Sequence, residues 1–354
     1  MYISSFCIPK VKYNGTYLYD YDSMGIMNLS SLYKQCGKEN NYLDEIMTYF
    51  VGGWFLLVFI LGAIGNFVTI VSLLYAARKK RFGFDENFNT TGIFICNLSF
   101  LDLCLCIFFL LPNGISLLMN KWLFGELMCS LSFYASCIVW HSEILALSLI
   151  AISRCLDLKF KERWDKWSEK MIPGLILIVT TWIPGILFSM PFTGFHGGWS
   201  YKFCMCDYVR DKKVWRWIAK ANLVIGICVM GVCYIIIWWE AKKSVENVGI
   251  SGNLNSFLKN RNKKMTNTIS RLLVMSVVCF LPWFIINEES IDSMEYVKVI
   301  YYIIEILYGS QVALNFILYV MTNDQYRLAY KSLWDYVICK ESRALKEYSA
   351  SLRT

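Results

Sequence analysis

Residues 129–154 read CSLSFYASCIVWHSEILALSLIAISR, one long apolar run with a cysteine at its start and an arginine at its end. At about 1.5 Å per helical residue this run covers roughly 39 Å, more than the ~30 Å hydrocarbon core of a bilayer. It predicts a membrane-spanning helix with Cys129 at one interface and Arg154 at the other. The rest of the chain agrees. Its 354 residues are 56% hydrophobic and 16% aromatic, with only 18% charged and a mean hydropathy of +0.42. Soluble domains carry more charge than this. The net charge of +8 then bears on orientation in a membrane, and no nucleic-acid partner is expected.

Further apolar runs lie on either side, giving spans at about 48–77, 88–118, 126–156, 169–191, 215–241, 266–286 and 297–321. The fold class expected is an all-α membrane protein, a seven-transmembrane helix bundle with a short amphipathic eighth helix. Residues 1–46 would form a tail, 47–322 the bundle, and 323–354 the amphipathic helix and a second tail. Arg78, Lys79, Lys80 and Arg81 follow the first span, and Lys159, Lys161, Arg163, Lys166 and Lys170 follow the third. Lys242, Lys243, Lys259, Arg261, Lys263 and Lys264 lie between the fifth and sixth. Glu288, Glu289, Asp292 and Glu295 cluster between the sixth and seventh. Basic loops favour the cytoplasm, so the N-terminus is expected outside the plasma membrane of a multi-pass protein. The loop carrying Lys202, Arg210, Lys212, Lys213 and Arg216 is the exception. The N-terminus has no basic stretch leading an apolar run, so the first span would serve as its own insertion signal.

The tail holds acceptor sequons at Asn14 and Asn28, candidate glycosylation sites if it is extracellular. The stretch NDQYRLAYKSLWDYVICK at 323–340 mixes basic and apolar residues at helical spacing, as an interfacial helix against membrane lipids does. Cys339 at its end is a candidate for palmitoylation. Of the fourteen cysteines, Cys96, Cys104, Cys106, Cys137, Cys228, Cys233 and Cys279 fall inside spans and read as small core residues.

The chain resembles a divergent rhodopsin-like (class A) G-protein-coupled receptor over nearly all of residues 48–338. The resemblance rests on Gly65-Asn66, on Asn97-Leu98-Ser99-Phe100-Leu101-Asp102, on Trp122-Leu123-Phe124-Gly125 before Cys129, and on Ser153-Arg154-Cys155. It continues through Trp182, Tyr234, Cys279-Phe280-Leu281-Pro282, Asn315-Phe316-Ile317-Leu318-Tyr319 and Tyr326. There is some likeness to the invertebrate Moody/Trapped-in-endoderm group and to peptide and chemokine receptors. The departures are specific. Ser153 stands in place of the family's acid before the arginine, Cys155 of its tyrosine, and Phe280 of its toggle tryptophan. Gly226 and Phe316 replace the prolines of spans five and seven. Without the acid, Arg154 is expected to lose one resting-state partner, raising basal activity or changing coupling preference; the plainer alternative is that other contacts hold it.

The resemblance implies a receptor, not an enzyme, that transduces an extracellular ligand to a heterotrimeric G protein, with an arrestin as a further partner. It places a ligand pocket around Glu305, Ser136, Phe280, Trp283 and Tyr302, and an activation switch at Arg154, Tyr234, Tyr319 and Pro282. Cys129 would pair with Cys204 or Cys206. Ser136 where amine receptors keep an aspartate speaks against a biogenic amine, and Gly309 where opsins keep a lysine speaks against retinal. Tyr19-Asp20-Tyr21-Asp22, the acidic loop and Glu305 favour a basic peptide or small protein. A lipid or other small-molecule ligand and a non-signalling decoy or scavenger receptor are the alternatives. Ionisable groups inside a membrane are costly and usually functional. Asp102, Glu143 and Asn315 form an expected ion or proton site, with Asn66 and Gln311 completing a polar centre. No organic cofactor or metal is expected beyond a sodium ion there. Two carboxylates in one buried site do not both stay ionised cheaply, so they would hold a cation or share a proton. The plainer reading has Glu143 satisfied by hydroxyls and water.

Overall fold

The computed structural model describes residues 10–13, 16–19, 42–78, 86–160, 163–164, 171–189, 197–200, 205–208, 213–246, 270–271, 274–282, 297–322 and 324–337. Helix α1 spans Tyr42–Arg78. Helix α2 spans Glu86–Leu105 and runs on through Cys106–Leu110 into α3, Leu111–Met119. Helix α4 spans Gly125–Lys159, α5 Met171–Ser189, α6 Lys213–Glu246, α7 Val297–Thr322 and α8 Asp324–Val337. Two hairpins join them: β1 (Lys10–Tyr13) pairs antiparallel with β2 (Thr16–Tyr19), and β3 (Gly197–Ser200) with β4 (Met205–Tyr208).

Among the described residues five helices are long and apolar enough to cross a membrane: Glu45–Tyr75, Gly92–Met119, Leu127–Lys159, Lys220–Glu240 and Val299–Met321. Pro173–Leu187 is a shorter apolar helix in the place of the fourth span. Only helical residues 274–282 and 270–271 of the sixth fall within the described residues. The second span is one continuous rod built from α2, a wider i→i+5 turn at Cys106–Leu110, and α3. Pro112 causes the wide turn, because proline donates no N–H and its ring clashes with the carbonyl four residues back. Local side chains answer the disturbance. Asn113 Nδ2 donates to the Phe109 carbonyl at 3.0 Å, and Ser116 Oγ to the Pro112 carbonyl at 2.8 Å.

Helix α4 is the centre. Of its apolar window 67% is buried, against 28% for α6, so α4 is enclosed by protein while α6 lies at the rim. It packs against α2, α5 and α6. Gly226 of α6 permits a close approach: a Cβ there would meet Ile144 Cγ2 at 2.3 Å. That is the position where the resemblance expects a proline, and a glycine without a side chain brings the two backbones together instead. On the other side, α1 packs on α7 and α8. Asn66 Nδ2 donates to the Gly62 and Val312 carbonyls, both at 3.0 Å, and ties α1 to α7. Trp182 Nε1 donates to Asn97 Oδ1 at 2.8 Å and ties α5 to α2.

Helix α8 is the expected amphipathic element. Tyr326 and Ala329 are buried while Trp334 is 64% exposed. The Tyr330 and Thr69 hydroxyls are hydrogen-bonded at 2.6 Å. Burial pushes the Tyr330 phenol up to about 12, against the pull of that bond.

Candidate functional site

The functional side chains line up on α4. Cys129, Ser136, Glu143 and Arg154 are separated by seven, seven and eleven residues. A heptad drifts only ~20° around a helix, so all four lie near one face. About 21 Å of helix separates Cys129 from Glu143 and about 16 Å separates Glu143 from Arg154. The site therefore divides into a disulfide end, a polar centre and an arginine end.

At the disulfide end, Cys129 is bonded to Cys206, with 5.4 Å between their Cα atoms. Of the two cysteines left open by sequence, Cys206 is the partner; Cys204 lies outside the described residues. Asn113 seats this bridge: its Oδ1 accepts from the Cys206 N–H at 2.9 Å, and its Nδ2 donates to Ser132 Oγ at 3.0 Å. The β3–β4 hairpin is thereby fastened over α3 and α4. Trp122 of the WLFG loop joins the same cluster and donates from Nε1 to the Gly125 carbonyl at 2.7 Å.

Below the bridge lies an aromatic floor. Phe280 is buried between Trp140, edge-on with centroids 6.3 Å apart, and Tyr308, tilted at 6.0 Å. Tyr308 in turn stands edge-on to Phe109 at 6.1 Å. The Tyr308 hydroxyl donates to the Ser136 carbonyl at 3.5 Å, while the Ser136 hydroxyl donates to the Phe133 carbonyl at 2.8 Å. Glu305 is buried on α7 within electrostatic reach of the Tyr308 hydroxyl. Tyr302 is a correction. It is fully buried and turned to α1, where its hydroxyl meets Thr48 Oγ1 at 3.1 Å, so it braces the bundle rather than facing a ligand. Trp283, Asn14 and Asn28 lie outside the described residues, as do Cys339, the third inner loop at 247–269 and the acidic loop at 288–295. Pro282 is the last described residue of its helix and is half-buried.

In the polar centre the structure joins Asp102, Glu143 and Asn315. One amide serves both acids: Asn315 Nδ2 donates to Asp102 Oδ1 and Oδ2 at 3.3 and 3.1 Å, and to Glu143 Oε1 at 3.3 Å. Gln311 Nε2 donates to the same Glu143 oxygen, and Ser276 Oγ lies 3.4 Å from that Nε2. All five residues are buried. Asn66 stands apart, occupied with the α1–α7 staple. Gln311 Oε1 and Ser99 Oγ are buried oxygens that accept no hydrogen bond from the described residues. Buried carboxylate oxygens are the kind of donor a hard cation takes, and Asn315 brings the two acids to one site.

At the arginine end the acid missing at Ser153 is supplied one turn later. Arg154 Nη1 pairs with Asp157 Oδ2 at 3.3 Å. Ser153 Oγ instead donates to the Ile150 carbonyl at 2.8 Å. The expected loss of a resting-state carboxylate is thus answered locally. Tyr319 and Tyr326 are buried with ring centroids 5.4 Å apart, which links α7 to α8. Burial pushes the Tyr326 phenol up, and the nearby Arg154 charge pulls it back. Tyr234 does not join them; it is 43% exposed on the outer face of α6. Tyr308, Asn113, Ser276 and Asp157 were not foreseen as site residues. Asp157 carried a readable signal, an acid at i+3 from an arginine on a helix.

The comparisons with known proteins agree with this geometry. The family model described as "7 transmembrane receptor (rhodopsin family)" matches residues 65–319. The chain is 28% identical over 243 residues to neuropeptide Y receptor type 1 of Xenopus laevis, covering 65% of this chain and 64% of that receptor. It is 26% identical over 285 residues to C-C chemokine receptor type 3 of Cavia porcellus, covering 77% and 69%. It is 23% identical over 294 residues to somatostatin receptor type 2 of Mus musculus, covering 79% and 75%.

Proposed function

The chain belongs to the rhodopsin family of seven-transmembrane receptors, and from that premise we propose that it converts binding of a basic peptide or small protein into activation of a heterotrimeric G protein. The observation that carries this reading is the single face of α4 that runs from the Cys129–Cys206 bridge through Glu143 to Arg154. A ligand seated on the aromatic floor beneath the bridge presses on Trp140, Phe280 and Tyr308. Tyr308 is within electrostatic reach of Glu143 and Asp102, and a shift there would be passed down one rigid helix to Arg154. Ligand binding can bias the bundle only by the difference in its affinity for the two states. The plasma membrane location and an extracellular N-terminus belong to the same proposal, and rest on the basic loops.

Two features favour a peptide. The relatives are named for neuropeptide Y, a C-C chemokine and somatostatin. Glu305 sets a buried carboxylate at the pocket, where it would meet a cationic ligand group. Asp102, Glu143, Gln311 and Ser99 would hold a sodium ion in the polar centre, where its charge would offset the two carboxylates. Asn315 would keep both acids on one donor and orient them. Release of the Arg154–Asp157 pair would free the guanidinium for an inner partner, a G protein first and an arrestin after it.

The test is a screen of cells expressing the chain with basic peptides, chemokines and lipids, read by dissociation of G-protein subunits. A peptide or small protein that triggers dissociation supports the proposal. Saturable binding with no dissociation of any heterotrimer would make the chain a decoy receptor, and a response to lipids alone would change the ligand class.

A further inference from the structure

We propose that the chain binds one anionic phospholipid of the inner leaflet, with an acyl chain in a groove between α1, α7 and α8 and the headgroup on Arg327 and Lys331 of α8. The groove has a volume of about 240 Å³ and is lined by Leu61, Ile64 and Val68 of α1, Phe316 and Val320 of α7, and Tyr330 of α8. The α1 and α7 residues belong to the windows Glu45–Tyr75 and Val299–Met321, which are long and apolar enough to cross a membrane. Leu61 is 43% and Ile64 62% exposed, so the groove opens away from the bundle and toward lipid. From Leu61 to Val68 it follows about 10 Å of helix, within the ~15 Å that one leaflet contributes to the hydrocarbon core. Its only hydroxyl, on Tyr330, is hydrogen-bonded to Thr69 of α1 at 2.6 Å. What fits such walls is a hydrocarbon tail.

Apolar walls alone do not choose among lipids, because every tail is equally apolar and only van der Waals packing holds it. Charge makes the choice. Arg327, Lys331 and Trp334 are all exposed, and their i, i+4, i+7 spacing sets them in one stripe along α8. Tyr330 comes three residues after Arg327 and four before Trp334. The groove therefore ends beside that stripe. Basic side chains next to a bilayer attract anionic lipids, a guanidinium can grip a phosphate through two N–H donors, and tryptophan settles at headgroup depth. The α1 wall leads to positive charge as well, since α1 ends at Arg78 and the chain continues Lys79-Lys80-Arg81. The acids of α8, Asp324 and Asp335, stand near its two ends. A helix resting on lipid in general needs only an apolar face; a groove that continues into a basic stripe defines a site for a single molecule. Naming the inner leaflet rests on the orientation proposed above, and the site itself does not.

The experiment titrates the full-length receptor, purified in detergent, with palmitoyl-oleoyl-phosphatidylserine, with the phosphatidylcholine of the same chains, and with cholesteryl hemisuccinate, and counts bound lipid by native mass spectrometry. The first phosphatidylserine should bind about tenfold more tightly than the first phosphatidylcholine, and each of Arg327→Gln and Lys331→Gln should weaken it by about fivefold. The double variant should treat the two phospholipids alike. Ile64→Trp, which fills the groove from an exposed position, should weaken both phospholipids and leave the double variant's loss of preference unchanged. All three side chains are exposed, so the fold does not depend on them. Equal affinity for the two phospholipids in the wild type overturns the proposal, as does a preference for phosphatidylserine that survives the double variant. Undiminished phosphatidylserine binding in Ile64→Trp overturns the groove as its seat. Saturable uptake of the sterol ester alone, or receptor dimers in place of lipid adducts, would give the groove a different occupant and overturn the proposal too. No step requires an extracellular ligand or a G protein, so the outcome is independent of the receptor reading.

Discussion

Phe316 stands in the seventh span where the family resemblance expects a proline, and Gly65 of α1 makes room for it. A Cβ built on Gly65 would lie 2.2 Å from Phe316 Cδ1, 2.4 Å from Cγ and 2.5 Å from Cε1. Carbon atoms pack best at about 3.5–4.0 Å. In Gly65→Ala the ring would therefore have to move by more than an ångström, and it is the ring's root, not a flexible tip, that is struck. Overpacking of this kind costs about 1–3 kcal/mol. A groove of about 240 Å³ lies beside the ring, lined by Leu61, Ile64, Val68, Val320 and Tyr330 with both of these residues. It gives the ring somewhere to go, so the lower part of that range, about 1–2 kcal/mol, is expected. On soluble-domain scaling this is a fall of about 2–8 °C in unfolding midpoint. The assay is tryptophan-monitored thermal unfolding of purified receptor, run as a double-mutant cycle with Phe316→Ala. The penalty of Gly65→Ala should vanish when Phe316 is alanine. A Gly65→Ala protein that melts with the wild type, or a penalty undiminished in the Phe316→Ala background, would refute the reasoning.

Three further predictions follow from the site. Glu143→Gln keeps an acceptor for Asn315 and Gln311 but removes one of two acids, so the rise in unfolding midpoint between choline chloride and sodium chloride should disappear; an equal rise in both proteins would contradict the cation reading. Asn113→Ala leaves the buried Cys206 N–H without its acceptor, at a cost of about 1–3 kcal/mol, and hydrogen exchange at Cys206 should quicken; unchanged exchange there would show that the bridge needs no such seat. Lys121 precedes the α4 span and Lys159 ends it, so a membrane-impermeant maleimide should label Lys121→Cys on intact cells and Lys159→Cys only after permeabilisation. Labelling of both on intact cells would place the two ends on one side of the membrane.

Much of this was legible in the sequence because a bilayer makes hydropathy decisive. The run from Cys129 to Arg154 fixed the central span, and Asp102 and Glu143 declared themselves as acids where acids are expensive. In the structure the hydrogen bonds to both acids run through one side chain, the Asn315 amide. What hydropathy cannot assign is which neighbour a side chain meets. Tyr302 is apolar-flanked on α7 and could face the pocket or another helix; its partner Thr48 lies 254 residues away. The roles of Asn113 and Tyr308 likewise depend on how α3 and α7 are rotated against α4. The wide turn before Pro112 aims Asn113 at the Cys206 strand, and the length of that turn is not set by composition. Asp157 was legible from helical spacing alone, as an acid one turn beyond Arg154.

The most direct test of the account is nucleotide exchange on purified G-protein heterotrimers by the receptor reconstituted in lipid nanodiscs, with the peptide or small protein that the cell screen identifies. The account predicts that this ligand accelerates exchange on at least one heterotrimer and that Arg154→Ala abolishes the acceleration while ligand still binds. Exchange that is indifferent to a bound ligand on every heterotrimer, or acceleration that survives in Arg154→Ala, would contradict it.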